Sequence, residues 1–185
     1  MKIIWKVEDG PALIEPNVFK DERGYFFESF RENEFISKIA NVSFIQENQS
    51  KSSYGTIRGL HCQTGTFAQA KLVSVVKGAV VDVIVDARED SKNYGKVYHA
   101  YLSEENHRQL FVPRGFLHGF LTLKDDTIFQ YKCDNYYNKE SEQSYLYNSI
   151  DFDWSAYISI NDVKLSQKDL VAPYFPGGIM ASFTD

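Results

Sequence analysis

The chain has 185 residues, enough for one domain with a sizeable core, and its 43% hydrophobic and 15% aromatic content suits a packed globular protein. A net charge of −5 argues against a general nucleic-acid binder, and no apolar run reaches the roughly 18 residues of a membrane span. Lys6, Glu8 and Asp9 stand where a secretory signal would be apolar, and two cysteines, Cys62 and Cys133, fit a reducing cytoplasm better than a disulfide framework.

Along the chain, no repeat, low-complexity linker or composition shift divides the sequence, so residues 1–185 read as a single domain. Tyr25 to Phe30 is an aromatic-rich strand candidate. Glu32 to Ala40 carries Phe35, Ile36 and Ile39 at helical spacing, and Val42 to Gln46 then reads as a strand. Arg58 and His61 lie in a strand-like segment. Lys71 to Val76 stops at Lys77-Gly78, a link typical of a hairpin, and Ala79 to Asp86 resumes it. In the latter, Val81, Val83 and Val85 share one face, with Val80, Asp82, Ile84 and Asp86 on the other. Both faces are largely apolar, as expected where one lines a barrel and the other packs on a second sheet. Further strands fit Val97 to Leu102, Gln109 to Val112, Phe116 to Leu123 and Thr127 to Cys133, and Ser166 caps a short helix reaching Ala172. Regular short strands with few helices predict a mainly β fold, a sandwich or jelly roll.

The chemistry centres on His61. A metal-binding β-barrel usually offers two close histidines, because a divalent ion needs several converging ligands, but Cys62 and Gln63 follow here. A lone histidine three residues after Arg58 suits proton transfer on an anionic substrate, with an ordinary core role equally open. His118, flanked by Phe116 and Phe120, reads either as a hydrogen-bonded core histidine or as a functional one. His99 and His107 read as surface or structural residues. Arg58 and Lys71 sit in apolar segments, where a buried cation needs an anionic partner; for Lys71 the alternative is a strand-end lysine reaching solvent. Tyr131, Tyr136 and Tyr137 can pack, stack on a sugar or base, or donate a proton. By local spacing Asp169 is a solvated helix residue, and nothing nearby links it to His61.

Several ordered motifs together carry a family resemblance from about Leu13 to Pro173. They are Ile14-Glu15-Pro16, Asp21 to Phe30, Phe44 to Asn48, Arg58-Gly59-Leu60-His61, Lys71-Leu72-Val73, Pro113 to Phe120, Tyr131-Lys132, Tyr136-Tyr137 and Leu165 to Asp169. In this order they resemble the nucleotide-sugar 3,5-epimerases that act on dTDP-4-dehydro-6-deoxy-D-glucose in dTDP-L-rhamnose synthesis. The resemblance implies a cupin-type jelly-roll β-barrel, a homodimer, and catalysis without metal or organic cofactor. It implies His61 as base, Asp169 as its partner carboxylate, Tyr131 as acid on the opposite face and Lys71 as stabiliser of the enolate. Arg58 and His118 match substrate-pocket residues, and Arg23, Phe26, Glu28, Gln46, Asn48 and Tyr137 match positions that bind the thymidine diphosphate or sugar. Cys62 stands where relatives often carry an aromatic, Ala70 where a glycine often precedes the lysine, and Gly65-Thr66-Phe67 lacks prolines found in some relatives. These departures bear on pocket shape and leave every catalytic group in place. Competing readings are a single-position epimerase, a cupin 3,4-ketoisomerase, a metal-dependent dioxygenase and a jelly roll that binds a nucleotide sugar without turnover.

Overall fold

The computed structural model describes residues 1–178. The single-domain expectation also spans 179–185, which lie outside the described residues. In chain order the elements are β1 (Lys2–Lys6), β2 (Ala12–Glu15), β3 (Val18–Asp21), β4 (Gly24–Phe27), α1 (Glu32–Lys38), β5 (Gln46–Ser52), β6 (Ile57–Gln63) and β7 (Lys71–Lys77). There follow β8 (Ala79–Asp86), β9 (Val97–Ser103), β10 (Gln109–Val112), β11 (Phe116–Thr122), β12 (Thr127–Cys133), β13 (Glu142–Ser144) and α2 (Gln167–Leu170).

Strand order is β1-β2-β10-β7-β12-β5 in a six-stranded sheet and β13-β6-β11-β8-β9 in a five-stranded one, with β3-β4 as a separate ribbon. All the ladders within these sheets are antiparallel, and neighbours far apart in sequence lie side by side, as in a jelly roll. The alternating residues work as expected. Val80 and Ile84 of β8, Val73 and Val75 of β7, Phe116 and Phe120 of β11 and Phe129 of β12 meet in the core between the sheets. The helix α1 buries Phe35 in a satellite cluster with Ile14, Leu72 and Phe111, whereas Ile36 faces outward at 37% exposure.

The structure corrects three local expectations. Lys77-Gly78 does not close a hairpin: β7 pairs with β10 and β12, β8 with β11 and β9, so the chain turns a corner between sheets. Gly78 makes that corner with φ +82, and a Cβ there would meet Thr127 Oγ1 at 2.2 Å. The outer face of β8, with Val81, Val83 and Val85, is covered by Tyr147, Ile150, Trp154, Ile158 and Phe175 of the C-terminal segment rather than by another sheet. Residues 42–45 are not a strand; pairing starts at Gln46, where the chain reaches the edge of β12.

Candidate active site

The β6 and β11 strands bring His61 and His118 opposite one another in the five-stranded sheet. Their contact depends on two glycines: a Cβ on Gly59 would lie 2.5 Å from Gly119 Cα, so only hydrogen atoms fit between the backbones there. From the facing sheet, β7 contributes Lys71 and β12 contributes Tyr131, which pairs with Asn48 of β5. His61, Lys71, His118, Tyr131, Arg58 and Asp169 line one cavity of about 480 Å³. An adjoining recess of about 370 Å³ shares His61, Lys71 and Tyr131 and adds Gln46, Asn48 and Tyr137. A roomier groove of about 950 Å³ lies elsewhere, but its arginines are already paired, Arg88 with Asp86 and Arg114 with Asp134. The chemistry concentrates in the smaller spaces.

His61 and Asp169, which local spacing left unconnected, are bonded: Nε2 lies 2.5 Å from Asp169 Oδ1. Far from being solvated, Asp169 is 5% exposed. The device that places it is the N-cap of α2. Ser166 Oγ accepts from the Asp169 backbone N–H at 3.1 Å and donates to Asp169 Oδ2 at 2.8 Å. Burial alone would push the Asp169 carboxyl up, but the hydrogen bonds from His61 and Ser166 outweigh it and hold the pKa below the ordinary value. An ionised carboxylate only accepts, so the bonded ring nitrogen of His61 carries a hydrogen, and in the neutral ring that tautomer leaves the lone pair on the other nitrogen.

Lys71 keeps a little accessible surface in the cavity and is not a lysine reaching solvent. Burial pushes its pKa below the ordinary lysine value, with Cys133, Cys62 and Asp82 partly opposing. No carboxylate lies within ion-pair range of it among the described residues, and its ammonium sits 5.9 Å from the centre of the Tyr131 ring. Burial, followed by Cys133, raises the Tyr131 pKa, while Asn48 and Arg58 work against that, so the phenol holds its proton at neutral pH. His118 is buried and bonded through Nε2 to both oxygens of Asp82, at 3.1 and 3.0 Å. Burial holds His118 below the usual histidine pKa and thus neutral.

Arg58 differs from its expected burial. It is exposed at the cavity rim and satisfied by Ser52 Oγ at 3.0 Å and the Lys51 carbonyl at 3.3 Å, which leaves guanidinium edge available to an anion. Gln46 Nε2 donates to Asn48 Oδ1 at 3.3 Å, and Gln46 Oε1 accepts from the Tyr137 backbone N–H at 3.1 Å. Arg23, Phe26 and Glu28 line neither space. They lie on or beside the β3–β4 ribbon, Arg23 paired with Asp21, Glu28 with Arg31, and Phe26 70% exposed. Cys62 lines the recess, and burial pushes its thiol up to about 11, so it is an inert wall.

Four groups escaped the sequence reading. Asp82 was visible as a carboxylate on an apolar strand, which is itself a signal of a buried partner. Ser50 Oγ lines the cavity, shut off from solvent and without a hydrogen-bond partner. Glu142 accepts from Tyr137 OH at 3.1 Å and pairs with Lys168 at 2.6 Å in the recess. Ser50 and Glu142 carried no local mark in their polar stretches, and Lys168 stood inside the Leu165 to Asp169 motif without a role of its own.

Comparison with known proteins bears on this geometry. The family model described as dTDP-4-dehydrorhamnose 3,5-epimerase matches residues 7–176. The chain belongs to that family. It is similar to the dTDP-4-dehydrorhamnose 3,5-epimerase of Shigella flexneri, with 45% identity across 85% of this chain and 87% of the relative. Among solved structures it resembles the enzyme from Elizabethkingia anophelis at 50% identity and TM-score 0.87, over 95% of this chain and 96% of that one. It also resembles a dTDP-6-deoxy-D-glucose-3,5-epimerase from Legionella pneumophila in complex with dTDP-4-keto-L-rhamnose. That match has 41% identity and TM-score 0.87, covering 93% of this chain and 91% of the other. Membership in this epimerase family fits the mainly β, cupin-type jelly roll described above.

Proposed function

We propose that the protein epimerises dTDP-4-dehydro-6-deoxy-D-glucose at carbons 3 and 5 to give dTDP-4-dehydro-L-rhamnose, in dTDP-L-rhamnose synthesis. The observation that carries this reading is the placement of His61, bonded to Asp169 of α2, on one sheet and Tyr131 on the facing sheet, with Lys71 beside the same cavity. Protons on carbons 3 and 5 flank the carbon 4 ketone and are acidic enough to remove if the resulting enolate is stabilised. The unbonded nitrogen of His61 takes the proton, and Asp169 stabilises the imidazolium that forms. Lys71, an ammonium without a carboxylate partner, faces the charge that develops on the ketone oxygen. Tyr131, kept protonated by burial, returns a proton from the other side and so inverts the carbon. His118, positioned by Asp82, and Arg58 line the sugar and phosphate end of the cavity, and Gln46, Asn48 and Tyr137 line the recess. No step calls for a cofactor.

The protein acts as a homodimer on this reading. Support comes from the outer face of the β3–β4 ribbon, where the cross-strand pair Phe19 and Phe26 is 66% and 70% exposed, apolar surface suited to a second copy. Arg23, Phe26 and Glu28 on this ribbon are the residues assigned to the nucleotide. Two free, buried thiols support residence in the cytoplasm, and no described helix is long and apolar enough to cross a membrane.

Incubation with dTDP-4-dehydro-6-deoxy-D-glucose in heavy water tests the reaction. Deuterium at both carbon 3 and carbon 5, read by NMR, is expected; label at one position alone would assign a single-site epimerase, and label at neither would leave a binding module.

A further inference from the structure

His107 sits in the loop between β9 and β10, in the left-handed region with φ +53, and is only 9% exposed. Its ring contacts two rings of β4, with centroid separations of 4.6 Å to Tyr25 and 4.8 Å to Phe27. Tyr25 and Phe27 are two residues apart and share one side of the strand, while Phe26 points to the other. The next two residues complete a pattern. Arg108 Nε donates to Glu15 Oε2 at 3.0 Å, just before the β3–β4 ribbon, and Gln109 Nε2 donates to the Ser29 carbonyl at 2.9 Å, just after it. Three consecutive side chains thus fasten the ribbon's beginning, inner face and end to the barrel. The loop that presents them is itself held: Ser103 O accepts from the His107 N–H, and Asn106 Oδ1 accepts from the backbone N–H groups of Ser103 and Arg108.

We propose that His107 is a positioning residue for nucleotide binding, a ring that fixes the inner face of the β3–β4 ribbon so that Arg23, Phe26 and Glu28 are held in one geometry. The proposal rests on the reading above that this ribbon contacts the nucleotide. Without His107 the ribbon, whose outer residues are largely exposed, keeps its two end fastenings and loses its middle one. Burial and the nearby Lys20 hold the His107 pKa below the usual histidine value, so at neutral pH the ring contributes as an uncharged aromatic. A preformed ribbon spares the nucleotide the cost of ordering it.

Two variants separate this role from a need for histidine in the turn. Asparagine tolerates the left-handed backbone but has no ring, whereas phenylalanine keeps a ring and is disfavoured in that conformation. H107N is expected to raise the dissociation constant for dTDP and the KM about fivefold to tenfold with kcat within about twofold, while H107F stays within about twofold in all three. Amide exchange across residues 18–27 speeds up by about the same factor in H107N alone. The converse result, a normal H107N with an impaired H107F, would show a turn role and overturn the proposal. Unchanged exchange in H107N would overturn the clasp itself. A Arg23→Ala variant with unchanged dTDP affinity, beside faster exchange in H107N, would locate the failure in the nucleotide reading instead.

Discussion

Replacing Asp169 with asparagine isolates the charge of the His61 partner while keeping its shape. Asp169 Oδ1 is 2.5 Å from Nε2 and the residue is 5% exposed, so water cannot substitute for the lost charge. A hydrogen bond to a charged group contributes about 1.5–3 kcal/mol, and here the contribution is largest when His61 becomes an imidazolium in the transition state. That alone slows proton abstraction about 10- to 150-fold. A second loss follows if the amide turns its NH2 toward the ring: Nε2 then accepts, the hydrogen shifts to the working nitrogen, and the base is gone. Ser166 Oγ permits that orientation, because a hydroxyl can donate to the amide oxygen as it does to Oδ2. The expected outcome for D169N is a fall in kcat/KM of roughly 30- to 1000-fold, with dTDP affinity unchanged. Deuterium wash-in at carbons 3 and 5 measures the rate, and calorimetric titration with dTDP measures the binding. A loss smaller than about threefold, or one matched by weaker dTDP binding, would refute the dyad assignment.

Other expectations follow from the same groups. The Asp169 carboxyl has a lowered pKa in the folded state, so it stabilises the protein above its unfolded value of about 3.9, and that contribution is lost as pH falls through the folded value. Urea titrations between pH 6 and 3, at roughly unit intervals, should therefore show a shallower acid decline in D169N than in the parent. Lys71→Met removes the cation beside the enolate, for a loss of about 10²- to 10³-fold in kcat. Because the folded pKa of Lys71 is lowered, its ammonium costs stability at neutral pH, and the cost fades as pH rises through that folded value. Thermal scans should show K71M melting higher than the parent at neutral pH, with the gain shrinking in alkali; a lower Tm would contradict the unpaired-ammonium reading. Asp82→Ala strands the buried His118 ring nitrogen and should cost about 2–3 kcal/mol in denaturant unfolding.

The elements that the sequence determines by itself are those written in local periodicity. The ends of β8, β10 and β12 follow from short apolar-rich runs and their flanking turns, and Ser166 marks the start of α2 through its capping chemistry. His61, Lys71, Tyr131 and Asp169 were also legible, through the resemblance rather than through spacing, since residues separated by more than a hundred positions leave no local trace of their contact. The same locality explains the misses. Lys77-Gly78 has the composition of a hairpin turn, but the partners of β7 and β8 are remote strands, and only their ladders send the two into different sheets. Arg58 looked buried because its neighbours are apolar, yet its side chain lies exposed at the cavity rim, where the β6 burial pattern departs from strict alternation. His107 read only as a surface or structural residue, and its contacts with Tyr25 and Phe27 appear only when the loop after β9 and the β3–β4 ribbon are brought together. Periodicity and capping act over a few residues and are fixed by chain order; ion pairs, ring contacts and burial are fixed by distance in space, which the folded sheets alone supply.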